Sequence, residues 1–187
     1  MISTKRALGL LVAASLSMGC SSADRPGGSA SLGQAAVSGN FGTTNFDQAP
    51  SAFWIGHPDV PDTIAMYLSA KPMTCNEAAN IGWNQMLPPG VAVLEMILEG
   101  TSPGVYVVTA ADPVAPGDAE VNFIVSGPEL DEWRAPSGTV AVASASDADG
   151  IVTGQFDVSW LDGSRIRGSF SAAECAAAHE VHKRTSM

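Results

Sequence analysis

The sequence predicts an all-β domain: an antiparallel β-sandwich or barrel, with one or two short helices, ending in a three-stranded meander. Three observations predict it. Short apolar stretches alternate with a period of two rather than 3.6. Proline and glycine break the chain between them, at Pro88-Pro89-Gly90, Pro103-Gly104, Pro116-Gly117 and Gly127-Pro128. No long amphipathic helices alternate with the strands, which argues against a parallel α/β fold.

The domain is expected to begin near Phe41. Ser51 to Gly56 carries Phe53, Trp54 and Ile55. In Thr63 to Ser69, Ile64, Met66 and Leu68 alternate with Ala65, Tyr67 and Ser69. Thr74-Cys75-Asn76-Glu77 fits a capping box, in which hydroxyl and carboxylate satisfy the first free amides of a helix. A short helix is expected from Cys75 to about Ile81. Val91 to Glu99 places Ala92, Leu94, Met96 and Leu98 on one face and Glu95 and Glu99 on the other, which reads as a solvated face. Val105 to Ala110 and Glu120 to Ser126 come next as strands. A second short helix is expected near Ala172.

The meander is Gly138–Asp147, Ile151–Trp160 and Ser164–Ser171, with turns at Asp149-Gly150 and Asp162-Gly163. A three-residue loop, Leu161-Asp162-Gly163, pairs Val158 with Ile166, Phe156 with Gly168 and Gly154 with Phe170 on one face. Each phenylalanine then lies across from a glycine whose bare backbone it can cover. A two-residue loop would mix apolar and polar faces, because a slip of one flips every side chain. The same reasoning with Ala148-Asp149-Gly150 pairs Val142 with Phe156 and Val140 with Val158.

The N-terminus carries a different signal. Lys5 and Arg6 give a positive start, Ala7 to Ser17 is a short apolar run, and Leu16-Ser17-Met18-Gly19-Cys20 ends it with small residues before a cysteine. The run is shorter than the roughly 20 residues of a membrane-spanning helix, so residues 1–19 read as a cleavable signal. This segment resembles the signal peptide and lipobox of bacterial lipoproteins, with Leu16 one step further from the cysteine than usual. The resemblance implies cleavage before Cys20, lipidation of Cys20 and firm membrane attachment through its acyl chains. Ser21, rather than Asp, resembles the outer-membrane sorting signal. Residues 20–40 are rich in Ser, Gly and Ala and read as a lipid-anchored flexible tether. Residues 41–178 form the β domain and 179–187 a disordered tail.

The chain has 187 residues and a net charge of −10. Such acidity repels phosphate backbones and excludes nucleic-acid binding as a leading function. Of three cysteines, lipidation would occupy Cys20 and leave Cys75 and Cys175 as a pair. In an oxidising envelope they are expected to form a disulfide, with two buried thiols as the alternative.

No local motif fixes a chemistry. His57 precedes Pro58 in a loop. His179-Glu180-Val181-His182 lacks the metalloprotease spacing. Asp147-Ala148-Asp149-Gly150 departs from the calcium-loop pattern and reads as a turn. Glu95 and Glu99 would stand about 13 Å apart along one strand, too far for a glycosidase pair. No catalytic residue, metal site or cofactor is assigned. Among four tryptophans, Trp160 reads as core. Trp133, in an Asp-Glu-Trp-Arg loop, is the expected exposed ligand contact, suited to sugar or peptide recognition.

Together these features read as a lipid-anchored envelope protein at the outer membrane, whose β domain is a non-enzymatic binding or structural module. Its partners would be the membrane, through the anchor, and an envelope protein or glycan. Two alternatives remain: an envelope hydrolase with a site assembled from loops around His57 and Asp59, and a small-ligand carrier barrel.

Overall fold

The computed structural model describes residues 33–56, 62–78, 89–112, 114–127, 130–146 and 150–175. The strands are β1 (Gln34–Phe41), β2 (Thr44–Asn45), β3 (Ser51–Gly56), β4 (Ile64–Ser69), β5 (Ala92–Leu98), β6 (Gly104–Thr109), β7 (Asp118–Ser126), β8 (Leu130–Arg134), β9 (Ser137–Ser146), β10 (Ile151–Ser159) and β11 (Arg165–Glu174). Eight of them close a barrel in the order β3-β4-β5-β7-β6-β9-β10-β11 and back to β3.

The barrel is two antiparallel sheets joined by two short parallel seams. Val107 and Val108 of β6 meet Asp118 and Ala119 of β7. Ala173 and Glu174 of β11 meet Phe53 and Trp54 of β3. Each seam leaves most of a strand edge free, and an extra strand takes that edge. β1 pairs β11 from Gln34 to Asn40, and β8 pairs β7 from Asn122 to Ser126. The second strand partner satisfies amides and carbonyls that the seam would leave unpaired.

Both extra strands differ from the sequence expectation. Residues 34–40, expected in the tether, form β1. Small, polar residues such as Gln34, Ala36 and Ser38 carry a weak strand signal and owe their conformation to the β11 partner. Trp133, expected in a loop, lies on β8 opposite Phe123.

The barrel interior is filled by side chains. Phe46, Phe123, Met66, Leu68, Leu94, Met96 and Ile166 are completely buried, and belong to one apolar cluster with Trp54, Phe156 and Phe170. A second cluster lies outside the barrel. It joins Ile55, Ala65, Tyr67, Val93 and Ile124 to Met73, Ala78 and Cys175. The chain after β4 folds back over this outer face, so every residue of β4 is buried.

Three sets of bonds hold that cover. The Ser51 hydroxyl accepts from the Met73 amide at 2.8 Å and donates to the Met73 carbonyl at 3.2 Å. Cys75 and Cys175 form a disulfide with Cα atoms 5.3 Å apart. The helical turn at 75–78 carries the expected capping box. Thr74 N donates to Glu77 Oε2 at 2.7 Å, and Glu77 N donates to Thr74 Oγ1 at 3.3 Å. The bonds from Thr74 hold the Glu77 carboxyl below its ordinary range.

The β10–β11 hairpin pairs as expected: Val158 with Ile166, Phe156 with Gly168, Gly154 with Phe170. Gly163 sits at φ 86° in the turn, where glycine carries no steric cost. A Cβ on Gly154 would lie 2.6 Å from Phe170 Cζ, so the ring does cover that glycine. Gly168 is covered instead by Val37 of β1.

The β9–β10 hairpin departs from expectation. Ser146 pairs Ile151, one step early, and a bulge between Thr153 and Gly154 adds a second step. Phe156 therefore faces Val140, and Val158 faces Gly138. Two single slips sum to two, so the apolar faces stay aligned although the partners change. Ala172, near which a second helix is expected to start, instead continues β11 and is fully buried; residues 176–187 lie outside the described residues.

Candidate ligand-binding site

At one end of the barrel, five aromatic side chains from separate segments meet. Phe41 ends β1, Phe46 comes after β2, Phe123 is on β7, Trp133 is on β8, and Trp160 comes after β10. The β7–β8 pairing sets Trp133 across from Phe123 and holds its ring toward this end. Phe41 lies between the others, with ring centroids 4.9 Å from Phe123, 4.8 Å from Trp133 and 5.2 Å from Trp160. These are ordinary separations for attractive aromatic pairs. Trp160 Nε1 donates to the Trp133 carbonyl at 3.0 Å, which fixes the two tryptophans relative to each other.

The cluster opens into a concavity of about 580 Å³, lined among others by Phe41, Trp133, Trp160 and Leu161. That size lies within the range of small-molecule sites. Trp160 is buried, as the sequence suggests, but Trp133 is 38 % exposed and Leu161 94 % exposed. Solvent-facing apolar surface of this kind marks interaction sites.

Three charged residues line the same concavity: Glu132, Arg134 and Asp162. The Arg134 guanidinium is committed through Nη2, while its buried Nε has no hydrogen-bond partner among the described residues. Its Nη2 lies 2.7 Å from Glu120 Oε2 and donates to the Ala111 carbonyl at 2.8 Å. Asp162 accepts from the Ser164 amide at 2.9 Å and from its hydroxyl at 2.8 Å. Those bonds hold its carboxyl below the usual range, the amide bond most, so it is ionised at neutral pH.

The one strongly buried acid among the described residues lies elsewhere. Glu95, expected on a solvated face, is buried on the outer face of β5, flanked by Tyr67 of β4 and Asn122 of β7. Asn122 Nδ2 donates to Glu95 Oε2 and to Glu120 Oε1, each at 2.9 Å. Burial pushes the Glu95 carboxyl up, against the pull of the Asn122 and Tyr67 hydrogen bonds; Glu132 and Glu120 raise it further. Burial beside Glu95 likewise raises the Tyr67 hydroxyl. Glu99 is half-buried and accepts from the Thr63 hydroxyl at 3.3 Å. Alternation identified the face of these glutamates but not the chain that covers it.

The remaining sequence candidates divide simply. Trp133 is in the aromatic site, whereas Phe41, Leu161 and Asp162 there were not singled out. Their shared end of the barrel is set by strand order, which spacing along the chain does not encode. Cys75 and Cys175 are joined. Cys20, His57, Asp59, Trp83, Asp147, Asp149, His179 and His182 lie outside the described residues. Among the described residues, no group of three or more His, Cys, Asp or Glu could hold a metal ion, and no helix is long and apolar enough to cross a membrane. The chain matches no protein family, no curated protein and no solved structure.

Proposed function

We propose that this protein is an exported, lipid-anchored binding module of the cell envelope, and that its ligand seats in the aromatic mouth around Trp133. The observation that carries the binding reading is a contrast. The barrel interior is occupied by buried side chains, while Trp133 stays 38 % exposed in a concavity floored by other rings. A ligand would therefore meet the end of the barrel rather than its centre. Folding that leaves an indole in water forgoes burial that would stabilise the domain, and ligand sites are where such surface is kept.

The export reading draws its support from the segment ending at Cys20, from Ser21, and from the Cys75–Cys175 bridge. Disulfides of this kind persist in oxidising compartments. Anchoring through acyl chains would leave the acidic domain free of anionic lipid, which its charge repels.

The binding reading is tested with a neutral apolar dye, N-phenyl-1-naphthylamine. Saturable fluorescence enhancement is expected, with affinity about tenfold weaker in Trp133→Ala, the loss appropriate to one exposed indole. Trp133→Ala should keep the wild-type circular dichroism spectrum. Equal dye binding by the two proteins would overturn the site.

A further inference from the structure

The concavity beside Trp133 contains a sheet edge as well as rings. The Ala135 amide donates to the Val121 carbonyl of β7 at 2.7 Å. Bonded and non-bonded pairs alternate along an antiparallel ladder. Trp133 and Asp131 therefore bond to Phe123 and Val125, their partners on β7, and the N–H and C=O groups of Glu132 and Arg134 point the opposite way. Among the described residues, β8 pairs with no strand other than β7, so no strand runs along that second edge. Alternation also sends the Glu132 and Arg134 side chains to the outer face, with Ile124 and Asn122. Both residues nevertheless line the concavity; what they bring to it is main chain.

We infer that the mouth takes an extended peptide segment of a partner protein, added to β8 as a further strand, an inference that rests on Trp133 marking the ligand site. An open strand edge accepts an extended chain through main-chain bonds, and the side chains on either face then set the preference.

The added strand would itself alternate. On the face it shares with Trp133, its side chains meet the 38 % exposed indole and the 94 % exposed Leu161. The rings of Phe41, Trp133 and Trp160 pack on one another there, so that face favours apolar residues. On the other face, its side chain stands beside the exposed Glu132 carboxylate, where lysine or arginine is complementary. The segment therefore reads apolar, basic, apolar.

Charge argues against a second copy of this chain as the occupant. Two β8 strands paired edge to edge would set their acidic Asp131-Glu132 pairs against each other. Like charges opposed across a ladder are destabilising, and each chain carries a net charge of −10.

The probe is the peptide acetyl-Thr-Leu-Lys-Leu-Thr-amide, whose leucines share one face of a strand. It is titrated into the full chain and followed by nuclear magnetic resonance. The Glu132 and Arg134 amides should shift and become protected from hydrogen exchange, which contact with side chains alone would not produce. In antiparallel register the lysine amide bonds to β8 and the leucine amides point away. N-methylation of the lysine amide should therefore weaken binding about tenfold, the loss appropriate to a main-chain bond. N-methylation of a leucine amide should leave it unchanged. Trp133→Ala should weaken the parent peptide about tenfold. Glu132→Gln should weaken it about threefold, and high salt should remove that difference.

No binding of the peptide would overturn the strand inference. So would bound-state amides of Glu132 and Arg134 that stay unprotected, or equal losses from the lysine and leucine methylations. A peptide with glutamate in place of lysine that binds as tightly would overturn the basic preference. The neutral dye separates these failures from the failure of the site. If dye binding still depends on Trp133, the site stands and only its ligand class is wrong. If dye binding ignores Trp133, the binding reading itself falls.

Discussion

Glu95 of β5 accepts a hydrogen bond from Asn122 of β7 at 2.9 Å on the outer face of the barrel, beside the apolar cluster that the 70–78 segment covers. A carboxylate buried there loses hydration that two hydrogen bonds only partly replace.

Stability should consequently depend on pH through Glu95. Its folded-state pKa lies above the unfolded value, so its favourable contribution is complete below the unfolded value, near 4.5. That contribution is lost as pH rises toward and through the folded value. Thermal melts across about pH 4 to 8, a window that brackets ordinary carboxylate titration, should show the wild type weakening with rising pH. Glu95→Gln should flatten that slope and match or exceed wild-type stability at neutral pH. Glu95→Ala should cost about 1–3 kcal/mol by leaving Asn122 and Tyr67 without their partner. A slope identical in wild type and Glu95→Gln would refute the assignment.

The Cys75–Cys175 bridge closes 100 residues. Its removal should cost about 4–5 kcal/mol in the chain-entropy account. Cys75→Ser, or reduction of the wild type, should lower the urea midpoint accordingly. The cover at 70–78 should then show the largest gain in amide exchange, because the bridge holds it to the end of β11. An unchanged midpoint on reduction would show that the bridge does not hold the fold.

Gly154 has no room for a side chain. A Cβ there would lie 2.2 Å from the Ala141 carbonyl oxygen and 2.6 Å from Phe170 Cζ. Gly154→Ala should destabilise by about 1–3 kcal/mol through overpacking. Gly104→Ala is the control, since nothing lies within 4 Å of its Cβ position. Denaturation of the two variants side by side checks the contrast; equal stabilities would contradict the close approach of Phe170.

The capping box predicts a smaller effect. Thr74→Ala removes the hydroxyl bonded to Glu77 and should cost about 1 kcal/mol, read from the same denaturation curves. A loss well below that would mean the turn at 75–78 is held by the bridge alone.

How far the sequence could be read depends on the element. The β10–β11 register was legible because one turn signal, Asp162-Gly163, and one face pattern agreed, with nothing inserted between them. The β9–β10 register was not, because the bulge at Thr153–Gly154 leaves no mark in composition and preserves the apolar alternation it shifts. β8 was hidden by two acidic residues and by lying next to Pro128; it is a strand because the parallel seam leaves the β7 edge open. For Glu95, periodicity gave the face correctly, but its burial is a property of the chain around it. Trp133 was legible as an exposed aromatic; that Phe41 and Asp162 share its concavity required the closed barrel.

Export is the premise on which anchor, bridge and envelope ligand all stand, and intact mass of the native protein extracted from membranes tests it most directly. The account predicts a species beginning at Cys20 with an acyl adduct, whose Cys75 and Cys175 accept alkyl groups only after reduction. An unprocessed or unacylated chain with three freely alkylated thiols would contradict it.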